Sequence, residues 1–129
     1  MQGDTDILIA GANTTLAIAI ELVLTHHGHR PARVLSGPQA LSHCKAMQPE
    51  LIVLETDLPD MSGLEVCQRL RLDPGTAHLP IVMITHNTHA VYARKLRALG
   101  ADAVLCPPMT AQDIIDIKAQ FETGGFDAG

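Results

Sequence analysis

Aromatic side chains are nearly absent: the 129 residues include one Tyr, two Phe and no Trp. That excludes the stacking platforms on which single-stranded nucleic acid is gripped. It also requires an aliphatic core, which a hydrophobic content of 47% can supply. Cysteine is scarce as well. Three residues at unrelated spacings make no disulfide framework and fit a reducing, cytoplasmic compartment. No apolar run approaches the ~18 residues of a membrane span, and no signal peptide is visible. Basic charge is outnumbered: 9 Lys and Arg against 14 Asp and Glu give a net charge of -5. With a pI near 5.7, this argues against direct nucleic-acid binding. There is no internal repeat and no low-complexity tract. The length suits one domain, read as residues 1–122, with a Gly-rich tail or linker start over 123–129.

What is present is a regular alternation. Short apolar runs at 6–10, 33–35, 51–54, 81–84 and 103–106 predict strands, and segments with helical spacing lie at 14–27, 38–47, 64–72, 88–99 and 111–121. Gly28, Asp73-Pro74-Gly75 and Gly100 supply stop signals between them. Continuous rather than alternating apolar strands predict a sheet covered on both faces. Five β-α units of this length predict a parallel, doubly wound sheet.

The most informative stretch is LIVLETDLPDMSG, residues 51–63. An apolar strand ends abruptly at an acid, Glu55, and an irregular loop closing at Gly63 follows. Open α/β sheets place their chemistry at such strand ends.

Together with ILIA at 7–10, LPDMSGLEVCQRLR at 58–71, LPIVMIT at 79–85 and LGADAVLCPP at 99–108, this stretch resembles the receiver domains of bacterial response regulators over residues 6–122. The resemblance implies a flavodoxin-like five-stranded parallel sheet of order 2-1-3-4-5 with five helices. It also implies a site built from an acid pair after the first strand, a phosphoacceptor Asp, a Thr or Ser, and a Lys before a proline. Here the acid-pair positions hold Gly11 and Ala12, the acceptor position holds Glu55, Thr85 is kept, and the Lys position is Pro107. In the family the peptide bond at that proline is typically cis, so Pro107-Pro108 is expected to be cis.

These departures set the functional expectation. Mg²⁺ wants several oxygens at near-octahedral geometry, and Gly11 and Ala12 bring no side-chain oxygen. Asn13 is read as a cap of the first helix, with Thr14. Pro107 brings no ammonium to a phosphoryl group, and a Glu acceptor displaces the nucleophile by roughly 1 Å, enough to cost on the order of a hundredfold. The resemblance therefore implies a pseudo-receiver: not an enzyme, with no cofactor and no metal, acting as a protein-protein interaction module. Two alternatives stay open: an active phosphoreceiver with its chemistry displaced to Asp57, or a small-ligand sensor at the vestigial pocket. Glu55 is either a solvated acid or a fixed phospho-like group reaching towards Thr85. Asp57, His86 and Asn87 are placed beside the site, with His86 a solvent-facing residue or a partner for Glu55.

The remaining candidates are peripheral. His26, His27 and His29 cluster at a helix end, where imidazolium is favoured. His86 and His89 are three residues apart, and neither spacing matches a recurrent zinc motif. Cys44, Cys67 and Cys106 are read as core residues. In receivers the fourth helix, fifth strand and fifth helix report phosphorylation through an aromatic switch, whose position here is Val104. That face should carry Tyr92, Arg94 and Lys95. Ile114, Ile117 and Phe121 have core spacing, whereas Ile115 falls off the stripe and is expected to be exposed, in a patch covered by a homodimer mate or partner helix.

Overall fold

A computed structural model describes residues 5–11 and 14–123. The elements are β1 (Ile7–Ala10), α1 (Thr14–His26), β2 (Pro31–Val34), α2 (Gly37–Met47), β3 (Leu51–Glu55), α3 (Gly63–Leu72), β4 (Ile81–Ile84), α4 (Ala90–Ala98), β5 (Ala103–Leu105) and α5 (Ala111–Thr123). All strand pairs are parallel, in the order β2-β1-β3-β4-β5.

Side chains alternate across each strand, and this divides the core into two layers. Leu8, Ala10, Ile52, Leu54, Ile81 and Met83 meet Ala40, Cys44, Val66, Cys67, Leu70 and Leu96 from α2, α3 and α4. Ile7, Ile9, Leu51, Val53, Val82 and Ile84 meet Ala17, Ile20, Leu24, Ala111 and Ile114 from α1 and α5. Since β3 is buried on both faces along its whole length, its apolar run has no solvent side to alternate towards.

Local chemistry fixes the helix ends. Ser36 and Ser62 accept from the Gln39 and Glu65 amides and cap α2 and α3. Gly28, at φ 90, ends α1, and the His29 amide returns to the Leu24 carbonyl at 3.0 Å.

Several expected boundaries shift. β2 lies two residues earlier at its start than the run 33–35 suggested, and Leu35 is outside it and 46% exposed. Pro31 is tolerated as the first residue of this edge strand, which pairs only with β1. α4 begins at Ala90 rather than Thr88. The Asn87 amide donates to Thr85 Oγ1 and the His89 amide to Asn87 Oδ1, a side-chain turn that competes with helix. α5 continues through Thr123, one residue into the segment read as tail. Cys44 and Cys67 are buried as expected, but Cys106 is only half-buried.

Polar groups knit the opposite end of the sheet from the candidate site. Asp6 is buried and accepts from the Arg30 amide at 2.7 Å, with His29 Nδ1 at 2.9 Å. Burial pushes its carboxyl up, but the His29 and Arg30 hydrogen bonds, with the charges of His29 and Lys118, outweigh that and hold it below the ordinary value. A depressed carboxyl stabilises the fold above its unfolded pKa of about 3.8, and this contribution is lost as pH falls through the lower, folded value. Accordingly, the stability difference between wild type and Asp6→Asn should be largest at neutral pH and shrink as urea unfolding is repeated from pH 5 down to pH 2. A difference independent of pH would show that the carboxylate charge contributes nothing.

Candidate functional site

The C-terminal ends of β1, β3, β4 and β5 converge on one edge of the sheet, where Gly11, Glu55, Thr85 and Pro107 follow or end their strands. Ala12 and Asn13 lie outside the described residues.

β1 and β3 are direct neighbours with Ala10 opposite Leu54, so Gly11 and Glu55 are the next pair along the two chains. Glu55 is 9% exposed. Its carboxylate lies where a side chain on residue 11 would be: a Cβ built on Gly11 would meet Glu55 Cδ and Oε2 at 2.6 Å and Oε1 at 3.0 Å. The side chain therefore leans towards β1. Its extra length is thus taken up beside β1, whereas Thr85, the target of the phospho-like alternative, follows β4 on the other side of β3. The missing side chain at 11 and the longer acid at 55 are one packing arrangement. The strand order 2-1-3-4-5 makes the two positions neighbours, so they are not two separate losses.

The rest of the rim is closely held. Thr85 is 2% exposed; its amide donates to the Leu105 carbonyl at 3.0 Å, and its hydroxyl oxygen accepts from the Asn87 amide at 3.1 Å. Cys106 Sγ lies 3.4 Å from the Asn87 carbonyl oxygen, and the Pro107-Pro108 bond is cis. Gly63 does more than close a turn: a Cβ there would lie 2.2 Å from the Glu55 carbonyl oxygen. Only glycine allows α3 to start this close to β3.

Glu55, Thr56, Asp57, Ile84 and His86 line a cavity of about 220 Å³. Asp57 and His86 are both exposed, and His86 is not among the ion-paired residues described. Among the described residues there is no Glu55–His86 ion pair. No group of three or more His, Cys, Asp or Glu among the described residues could hold a metal ion. The receiver pattern implies Mg²⁺, and the donor set does not fit it: Gly11 offers no side-chain oxygen, and the volume such an oxygen would need is filled by the Glu55 carboxylate.

The fourth-helix face also differs from expectation. Ile115 is half-buried and packs with the α1/α5 layer, because α5 is flanked by α1 as well as by the sheet. Tyr92 and Val104 pack against the opposite layer. Arg94 and Lys95 are exposed, and among the described residues the exposed large apolar residue on α4 is Val91, at 68%.

Residues 7–118 match the family model for the response regulator receiver domain. The chain belongs to this family. Among its relatives, the DNA-binding response regulator MtrA of Mycolicibacterium paratuberculosis is 33% identical over 109 residues, covering 84% of this chain and 47% of that protein. The transcriptional regulatory protein AfsQ1 of Streptomyces coelicolor is 34% identical over 112 residues, covering 87% and 48%. This receiver spans about half the length of those relatives. The chemotaxis response regulator CheY4 of Vibrio cholerae superposes with a TM-score of 0.81 at 19% identity, covering 88% of this chain and 95% of that one. That likeness shows the doubly wound, flavodoxin-like fold. Among the described residues, no helix is long and apolar enough to cross a membrane.

Proposed function

We propose that this receiver is a non-phosphorylatable member of its family, working by protein contact in two-component signal transduction. The observation that carries the proposal is the Glu55 carboxylate seated in the side-chain volume of Gly11. Phosphoryl transfer is catalysed almost entirely by positioning and by charge on the developing oxygens. Here the acceptor is too long and turned to β1, the first acid of the pair is absent, and Pro107 replaces the ammonium.

The contact face is the one formed by α4, β5 and α5, where Arg94, Lys95 and Val91 are exposed. Its switch position, Val104, is aliphatic, which leaves the surface without the aromatic reporter of the family. The partner is an output protein or domain rather than nucleic acid, in keeping with a net charge of -5. The free thiols of the three cysteines favour the cytoplasm. A small-ligand role is disfavoured, because the cavity of about 220 Å³ is smaller than the ~300–1,000 Å³ of ordinary ligand pockets.

Incubation with acetyl phosphate, or with beryllofluoride and Mg²⁺, tests this directly. Intact mass should show no added phosphate, and amide NMR should show no shifts at the strand ends short of millimolar Mg²⁺. A stable phosphate adduct abolished by Asp57→Asn would instead establish chemistry displaced to Asp57, and one abolished by Glu55→Gln would establish Glu55 as acceptor.

A further inference from the structure

α1 is apolar on two opposed sides. Ala17, Ile20 and Leu24, at 0%, 3% and 0% exposure, face the core. The other side carries Thr15, Ile18, Leu22 and His26, all exposed, at spacings of three and four residues that form a coiled-coil-like seam. Leu22 is 65% exposed, Ile18 40% and the adjacent Val23 41%; these are three of the six exposed large hydrophobics among the described residues. Among the described residues of α1, no exposed position is Asp, Glu, Lys or Arg. The absence of charge is unusual in a chain with 9 basic and 14 acidic residues. A solvent-facing helix side normally carries the polar residues.

We infer that this side of α1 is a self-association surface and that its occupant is α1 of a second copy, packed antiparallel about a two-fold axis. Charge decides for a second copy. Two such seams meet with no Asp, Glu, Lys or Arg on either of them, although the whole domain is acidic. Glu21 and Arg33 sit on one flank, paired at 3.2 Å with side chains 33% and 28% exposed. A two-fold that runs the helices antiparallel brings both Glu21–Arg33 pairs to the same flank, where each Glu21 can take the Arg33 of the other copy as well as its own. An isologous contact requires this self-complementarity. The area sets the strength. The helix has 13 residues, hence is about 20 Å long and ~10 Å wide, and it buries less than the ~800 Å² per partner of a standard interface. The dimer is therefore weak and concentration-dependent. α1 lies on the opposite face of the sheet from α4, so dimerisation leaves Arg94 and Lys95 free for the partner contact proposed above.

Sedimentation velocity from micromolar to millimolar protein should show the average mass rising from monomer towards dimer. Leu22→Asp should weaken association by on the order of tenfold or more, and Val91→Asp on α4 should leave it unchanged. Because Leu22 is solvent-facing, the urea midpoint of Leu22→Asp should stay near that of wild type, which separates lost association from lost folding. A protein that is monomeric at every concentration overturns the inference. So does a dimer that survives Leu22→Asp and is lost in Val91→Asp.

Discussion

Arg71→Met is expected to destabilise this domain by about 3 kcal/mol, lowering its melting temperature by on the order of 10 °C. The guanidinium spends all its N–H groups inside the protein. Nε and Nη2 donate to the Gly100 carbonyl at 3.0 and 2.8 Å, Nη1 donates to the Ala77 and Leu79 carbonyls at 2.8 and 2.7 Å, and Nη2 also reaches Asp102 Oδ2 at 2.8 Å. One side chain at the end of α3 thus joins the α3–β4 loop to the α4–β5 loop. Asp102 passes the connection on by accepting from the Ile81 amide at the start of β4. Methionine keeps the stem and removes every donor, leaving three carbonyls and a carboxylate short of partners. The side chains of Arg71 and Asp102 are 22% and 21% exposed, so water recovers part of the loss and the effect stays below that of a fully buried pair. Arg71→Lys should recover little, since three donors on a point charge cannot replace a planar fork. Arg69 is the control. Its i,i+4 pair with Glu65 is about half exposed and should change stability by less than about 0.5 kcal/mol when Arg69→Met removes it. Equal urea midpoints for Arg69→Met and Arg71→Met would refute the assignment.

Arg71 also marks where sequence legibility ended. The fold could be read because strand runs, helical spacings and stop signals alternate along the whole chain, and each is a local property. Arg71 read only as a position on a helix. Its acceptors are backbone carbonyls, which have no sequence signature, on two loops whose approach depends on the finished fold. The start of α4 was misplaced for a related reason: the Asn87 side-chain turn outcompetes helical hydrogen bonds that the apolar spacing alone would favour. Ile115 was misplaced because a single helical stripe was assumed for α5, whereas α1 covers a second side of it. At the candidate site, the residue types were legible from their order along the chain. The direction of Glu55 was not, since a longer acid can reach either neighbouring strand, and the empty volume at Gly11 decides between them.

That volume leads to the other large expected effect, a coupling between positions 11 and 55. Gly11→Ala should cost about 1–2 kcal/mol in the wild-type background, within the usual range for overpacking a filled site, and less than about 0.5 kcal/mol once Glu55→Asp has withdrawn the carboxylate. The added Cβ would stand 2.6 Å from Glu55 Cδ and Oε2, closer than van der Waals contact, so the acid must move. Moving outward takes it into the cavity it shares with Asp57, where it approaches a like charge. The same geometry governs any attempt to rebuild a metal site. Gly11→Asp alone drives two carboxylates into one volume, while Glu55→Asp alone clears the volume but leaves no oxygen at 11. Mg²⁺ affinity should therefore appear only when both changes are combined with an acid at position 12, and then as a gain larger than the sum of the separate effects. Urea unfolding of wild type, Gly11→Ala, Glu55→Asp and the double variant closes the cycle. Effects that add to within about 0.5 kcal/mol would show that the Glu55 carboxylate does not occupy the space left by Gly11.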